Sequence, residues 1–437
     1  MSTPPAADAV VPVSRGRIVA WGLWDWGSAA YNAVILTFVF SVYLTDGVGD
    51  GRPEASAALG WALATAGFAI AVLAPVIGRR ADSTGRRKLS TGVWTGLTIA
   101  TMSAMFWVRD DYSYLLLGLV LMGLGSIFFE LASVSYNAML VQVSTPANMG
   151  RVSGFGWAMG YFGGIVLLLV VYYGFISGEG GLLGVPTDDG MAVRLVALVA
   201  AGWFLIFAVP LFVRVPEVSA TADPAERVGV AAAYRKVFAD LRRMYRDSPH
   251  TLYFLGASAL FRDGLAAVFT FGAILAVSVY GIDAADVLLF GVAANVVSGV
   301  GALAGGRLED RVGPKVVIVG SLVGMLVAGT ALLVVSGPAM FWAFGLVLTL
   351  FVGPAQSSSR TFLARLAETG KEGELFGLYA TTGRAVSFLG PALFAVFTSV
   401  FGSERAGIVG ILLVLLAGLV ALWPVHGPRP GVATTTG

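Results

Sequence analysis

The chain of 437 residues contains no cysteine. That removes disulfides, thiolate metal sites and thiol nucleophiles together, although in a membrane protein it leaves the redox compartment open. Histidine is nearly missing too. Only His250 and His426 occur, both at the edges of apolar stretches, so no imidazole is expected as a proton relay or metal ligand at mid-membrane depth. Charged residues make up 12%, against about a quarter in an ordinary soluble domain, and this excludes a soluble globular protein. The net charge of +2 offers no broad field for nucleic acid or an acidic partner. No Walker A pattern occurs, so no ATP hydrolysis is expected from this chain. Neither an intramembrane Ser/His/Asp set nor a metal-binding spacing is found, which argues against an enzyme and against any metal or cofactor.

What is present is apolar: 57% of the residues. Twelve spans of about 20 residues would need about 240 apolar-rich positions, close to that content. Apolar runs interrupted by charged or Gly/Pro-rich breaks place spans near 18–44, 57–77, 89–108, 113–141, 152–174, 191–213, 251–280, 285–304, 315–336, 339–359, 374–401 and 405–424. The first 17 residues form a polar tail ending in Arg15 and Arg17, with no short apolar core and cleavage site behind it, so the first span is expected to stay uncleaved. Loop lysines and arginines fall on one side, including Arg79 to Lys88 after span two and Arg360, Arg365 and Lys371 after span ten. Only Arg52, Arg109, Arg194 and Arg405 lie opposite. The positive-inside rule then puts both termini in the cytoplasm.

The longest polar interruption, 214–250, divides the chain into bundles at 18–213 and 251–424, with a second tail at 425–437. Within it Val237, Phe238, Leu241, Met244 and Tyr245 alternate with Arg235, Lys236, Arg242, Arg243 and Arg246. That spacing suits either a helix lying on the inner leaflet or a solvated basic linker. The halves repeat one another. Gly78-Arg-Arg-Ala-Asp82-Ser-Thr-Gly85-Arg86-Arg87-Lys88 follows span two, and Gly306-Arg-Leu-Glu-Asp310-Arg311-Val-Gly313-Pro-Lys315 follows span eight. Gly154 and Gly160 likewise match Gly377 and Gly383, with Tyr161 opposite Arg384. Two six-helix halves in the same orientation are the arrangement of rocking secondary transporters. The fold class expected is therefore an all-α membrane protein of twelve transmembrane helices in two pseudo-symmetric bundles.

The loop Gly78 to Lys88 resembles the signature loop of the major facilitator superfamily. A narrower resemblance covers most of the chain. Trp24-Asp25-Trp26 through Ala30-Tyr31-Asn32, Tyr136-Asn137, Thr145-Pro146 through Gly163-Gly164, and Phe376-Gly377-Leu-Tyr379 through Gly390-Pro391 resemble the vacuolar amino-acid effluxers linked to autophagy and their bacterial relatives. The chain departs from those relatives in Gly27-Ser28, where they tend to carry Ala-Asn, in Arg384, where they carry Lys, and in lacking a proline around Leu366-Ala367. The resemblance implies a transporter fold moving small molecules, with amino acids as one substrate class. It also implies a gate in which Asp82 meets the amino end of the eleventh helix near Glu374 to Gly377, where unpaired N–H groups favour an anion, and in which Arg86 reaches nearby carboxylates. Pseudo-symmetry extends this to Asp310 at the start of the fifth helix near Arg151 to Ser153, more weakly because Pro314 replaces a cation. The alternative is that Arg86, Arg87 and Lys88 merely set topology.

Ionisable groups inside hydrocarbon are costly and normally face protein or a wet cavity. Five fall inside spans at similar depth: Asp25, Glu130, Arg262, Asp263 and Arg384. Asp25 shares a helical stripe with Ser28 and Asn32, Glu130 with Ser133 and Asn137, and Arg384 with Thr381 and Ser387. Three acids against two bases leave one carboxylate unpaired, so Glu130 or Asp25 is expected to take up a proton during the cycle. Arg384 is the expected anchor for an anionic or zwitterionic substrate, the alternative being static ion pairs between the halves. Arg262 and Asp263 are adjacent and diverge by about 100°, so only one can face the cavity centre. Trp26, Tyr31 and Tyr161 are further candidates to line the cavity. The glycines at 154, 156, 160, 163 and 164 and at 299, 301, 305 and 306 suit close helix packing.

The expected protein is a monomeric inner-membrane secondary transporter working by alternating access. Its expected partners are a small-molecule substrate, protons and the bilayer, and outward movement of an amino acid is the leading case. Efflux of an amphipathic drug, lipid or metabolite is a second reading, favoured if the cavity is aromatic and Arg384 is tied to an acid. A non-transporting scaffold or receptor is the reading from another class.

Overall fold

The computed structural model describes residues 14–178, 180–186, 188–217 and 230–426. Most of both expected tails, at 1–17 and 425–437, and much of the polar interruption after span six lie outside the described residues. Twelve long helices make up the fold: α1 (Arg15–Gly47), α2 (Pro53–Ser83), α3 (Arg87–Ala104), α4 (Leu115–Ala138), α5 (Met149–Ile176) and α6 (Met191–Arg214), then α7 (Pro249–Ser278), α8 (Ala284–Val312), α9 (Pro314–Val334), α10 (Pro338–Leu366), α11 (Glu372–Phe401) and α12 (Glu404–Leu422). A further linker helix, Val230–Asp247, joins the halves. No strand occurs among the described residues.

Eleven of the twelve are long and apolar enough to cross a membrane by composition alone. The exception, α3, is rich in threonine, and its Thr91, Thr95, Thr98 and Thr101 are buried. Thr91 and Thr98 donate to backbone carbonyls one turn back, at 2.9 Å each, and Thr95 accepts from the Trp24 indole at 3.0 Å. A polar face satisfied by protein needs no water, so this helix spans without a long apolar run.

Two helices are irregular where function is expected. In α1 the backbone widens to a π-helix over Ala30–Phe38, a feature that often marks functional sites. α11 breaks between Val386 and Leu389, and Asp263 of α7 accepts the freed Gly390 N–H at 2.6 Å. α10 runs to Leu366, seven residues past the expected end at 359. Ser357, Ser358 and Ser359 at the expected end of the span and Arg360 in the expected loop are all buried.

The halves meet most closely where glycines let backbones touch. A Cβ on Gly78 of α2 would overlap the Gly373 carbonyl of α11, and one on Gly154 of α5 would overlap the Ala302 carbonyl of α8. These contacts lie toward the face that carries the Asp82 and Asp310 loops, called the basic face below.

Candidate functional site

Three layers of polar side chains cross from one half to the other. The outermost joins α4 to α11, where Arg384 Nη2 donates to Glu130 Oε2 at 3.0 Å. Arg384 lies about 18 Å along α11 from Glu372, near the middle of a hydrocarbon core about 30 Å thick. Both side chains keep some exposure, 40% for Arg384 and 22% for Glu130. One turn nearer the basic face, the Thr381 hydroxyl donates to the Ala71 carbonyl of α2 at 2.8 Å.

The second layer centres on Arg360 of α10, whose side chain is 5% exposed. Its Nε donates to Ser153 Oγ at 2.9 Å and its Nη2 to the Ser153 carbonyl at 2.7 Å, while Nη1 reaches Asn137 Oδ1 at 3.2 Å and Asp25 Oδ2 at 3.4 Å. Asp25 Oδ2 also accepts from the Tyr136 hydroxyl at 2.8 Å. The guanidinium lies 4.8 Å from the Trp21 ring centroid, and Trp21 and Trp24 both stack on Tyr136. Aromatic faces favour a cation there. Gly156 admits the cluster, since a Cβ at that position would crowd Asp25, Trp21 and Arg360 together.

The third layer lies at the basic face, where the gate is expected. Asp82 accepts the Gly373 and Glu374 N–H groups of α11 at 3.1 and 2.9 Å and Arg87 Nε at 2.7 Å. Arg87, itself buried, also donates to Glu372. In the second half Asp310, four residues after Gly306 as Asp82 is after Gly78, accepts Gly150 N–H at 2.9 Å, Arg151 N–H at 3.3 Å and Arg151 Nε at 2.6 Å. Helix amino ends thus receive carboxylates on both sides of the pseudo-two-fold axis. Among the described residues, every recorded hydrogen bond between the halves lies between this gate and Glu130–Arg384. The basic face is therefore closed.

Several expectations need correction. Arg360, expected in the loop after span ten, is a buried cation that pairs with Asp25, so Asp25, Glu130 and Asp263 stand against three bases, Arg262, Arg360 and Arg384, rather than two. Sequence could have flagged it, because no proline or glycine ends the helix between Arg360 and Leu366. Arg87 rather than Arg86 reaches the gate carboxylates. Arg86 precedes the first turn of α3; it and Arg311 are exposed and have no ion pair among the described residues. Gly85 takes a positive φ of 64° at that turn, a conformation suited to glycine, and Lys88 offers only its backbone N–H, to Glu217. The Asp310 contact lacks no cation, since Arg151 supplies one in place of the residue that Pro314 displaces.

Tyr31 is not a cavity residue. It is fully buried, donates to the Met122 carbonyl at 3.1 Å, and contacts Ser126 Oγ at 2.9 Å. Trp26 packs within the first half against Trp203 and Phe207. Asn32 is exposed, Asn137 belongs to the Arg360 cluster, and Tyr161 is half-buried near Trp157. Arg262 and Asp263 diverge as expected of neighbours, but neither forms an ion pair among the described residues. Arg262 lies 3.8 Å over the Tyr379 ring and donates to the Tyr379 carbonyl at 3.1 Å, while Asp263 serves the break in α11.

The profile of the family described as "Vacuole effluxer Atg22 like" matches residues 141–431. The MFS-type transporter YxiO of Bacillus subtilis is 25% identical over 92% of this chain and 93% of its own length. Autophagy-related protein 22-1 of Neosartorya fischeri is 27% identical over 65% of this chain, which spans about half (49%) of that protein. Among solved structures, the MFS proton:xylose symporter XylE superimposes with a TM-score of 0.71 at 13% identity, covering 95% of each chain. That likeness establishes the twelve-helix major facilitator fold.

Proposed function

This chain belongs to the vacuole effluxer Atg22-like family and is a multi-pass secondary transporter of the membrane, and from that premise we propose that it couples small-solute movement to protons through the Glu130–Arg384 pair. The observation that carries the reading is this pair's position: it bridges the halves near the membrane middle and is only partly buried. With no substrate, Arg384 holds Glu130. A substrate carboxylate can take the same guanidinium through two parallel bonds. Glu130 is then left without its cation, and the proton of the cycle is assigned to it. Displacement thus ties one carboxylate in to one proton taken up. By contrast, Asp25–Arg360 is held by several further bonds and acts as a tie that must break when the basic face opens.

Zwitterionic amino acids fit this exchange, and the family description supports outward movement. The basic loops support a reading in which that face and both termini are cytoplasmic and the membrane is the cell's inner membrane. Binding of substrate and proton, rather than catalysis, is the role assigned to the site.

One observation favours a second reading. Arg384 is tied to an acid here, and Trp157, Tyr161 and Tyr379 lie on the helices that meet around the site. An amphipathic solute bound by those rings would leave the pair intact.

Purified protein in proteoliposomes, given an amino-acid panel under imposed pH gradients, separates these. Glu130→Gln is expected to abolish gradient-driven accumulation while keeping exchange of solute across the membrane. Unchanged gradient dependence in that variant would remove Glu130 from coupling. Flux of amphipathic solutes but of no amino acid would select the second reading, and no flux of any solute would leave a scaffold.

A further inference from the structure

The linker helix Val230–Asp247 has one side tied to the bundle and another that is exposed among the described residues. On the tied side Val237 is buried, and Leu241 and Met244 pack against the core. The Tyr234 hydroxyl donates to the Val72 carbonyl of α2 at 2.8 Å. Val72 lies about 16 Å along α2 from Ser83, so the amino-terminal part of the linker helix runs along the flank of a membrane-spanning helix. Asp240 then meets Arg79 at 2.5 Å, and the same Arg79 nitrogen reaches Glu374 of the gate at 3.1 Å. Arg243 bridges Asp240 at 2.9 Å and Glu368 at 3.4 Å.

The free side carries two large aromatics, Phe238 at 68% and Tyr245 at 67% exposure. Seven residues apart, they point within about 20° of each other. Adjacent to them around the helix are Arg235, Arg242 and Arg246, all exposed. None of the three has an ion-pair partner among the described residues, whereas Arg243, pointing elsewhere, has two. Exposed rings beside unpaired arginines, on a helix pinned to the flank of a span, match an interfacial element that sinks its rings at the acyl boundary and keeps its charges at the phosphate level.

We propose that this face docks on the inner leaflet and binds anionic lipid headgroups through Arg235, Arg242 and Arg246. Because Asp240 on the opposite side holds Arg79 and, through it, the gate, headgroup binding steadies the closed basic face. The inference is independent of the solute and proton assignments above, since its first readout is lipid and not transport.

The test uses the full-length protein reconstituted in bilayers of phosphatidylcholine mixed with phosphatidylglycerol, then purified with its retained lipid. The retained lipid of the wild type is expected to be enriched in phosphatidylglycerol over the starting bilayer. Each arginine near an anionic surface contributes a factor of about five in affinity, so Arg242→Gln/Arg246→Gln should weaken this preference by roughly twenty-five-fold. A control, Arg15→Gln/Arg17→Gln, removes the same charge from another exposed part of the chain and should keep the enrichment. Asp240→Asn should also keep it, while its transport rate should no longer depend on phosphatidylglycerol. Equal enrichment in the linker double variant and the wild type would overturn the proposal. So would equal loss in the Arg15/Arg17 control, which would mean that any cytoplasmic charge suffices.

Discussion

Neutralising Asp25 should open the basic face. In the closed state Asp25 Oδ2 accepts from Arg360 Nη1 at 3.4 Å and from the Tyr136 hydroxyl at 2.8 Å. Asp25→Asn preserves shape but leaves Arg360 as a buried charge without a counter-ion. Breaking a buried pair in this way costs about 3–5 kcal/mol. Arg360 keeps its bonds to Ser153 and Asn137, which argues for the lower end. About 3 kcal/mol corresponds to roughly a hundredfold shift in an equilibrium, and the penalty falls on the closed state alone, because opening hydrates Arg360. The absence of cysteine permits a clean assay. Ser357 is fully buried and its carbonyl accepts from Ser153 across the halves at 2.8 Å. A Ser357→Cys reporter should therefore react with an impermeant thiol reagent only when the basic face opens. Asp25→Asn should raise the labelling rate in inside-out vesicles by up to about two orders of magnitude. Adding Arg360→Gln removes the stranded charge and should bring the rate back toward the starting value, since replacing both members of a buried pair is often nearly neutral. A labelling rate unaffected by Asp25→Asn would refute the view that this pair holds the face shut.

Other changes test neighbouring parts of the same reasoning. Gly78→Ala should abolish transport and hold the reporter reactive, because its Cβ would overlap the Gly373 carbonyl and the closed state cannot form; normal cycling would show that the backbones are free to separate there. Arg87→Gln should raise reporter labelling strongly, since it strands Asp82 and Glu372, while Arg86→Gln should leave it nearly unchanged; equal effects would return both residues to a purely topological role. Tyr31→Phe should lower stability by about 1 kcal/mol, the usual worth of a hydrogen bond, measured by thermal unfolding in detergent. An altered substrate preference in that variant would put the ring back in the cavity.

Much of the architecture was legible before any coordinates. Hydrocarbon acts on each residue separately, so apolar runs, basic loops and the repeated Gly-x-x-x-Asp loop disclose spans, halves and the gate motif one segment at a time. Even α3 was identified as a span in spite of its threonines, because the loops on either side required it. The Asp82 contact came from the family resemblance and the Asp310 contact from the pseudo-symmetry of the halves, each directed at a helix amino end that favours an anion.

Partnership is different, because it depends on where two distant helices place their side chains. Hydropathy ended α10 at 359 and so assigned Arg360 to water; only the packing of α10 against α1, α4 and α5 turned that charge inward to Asp25, Asn137 and Ser153. Whether Arg86 or Arg87 serves the gate depends on the angle at which α3 begins, and whether Tyr31 faces a cavity or Met122 depends on the rotation of α1 against α4. Solvation by lipid and water is written residue by residue along the chain, whereas an ion pair exists only where two backbones have already been brought within reach.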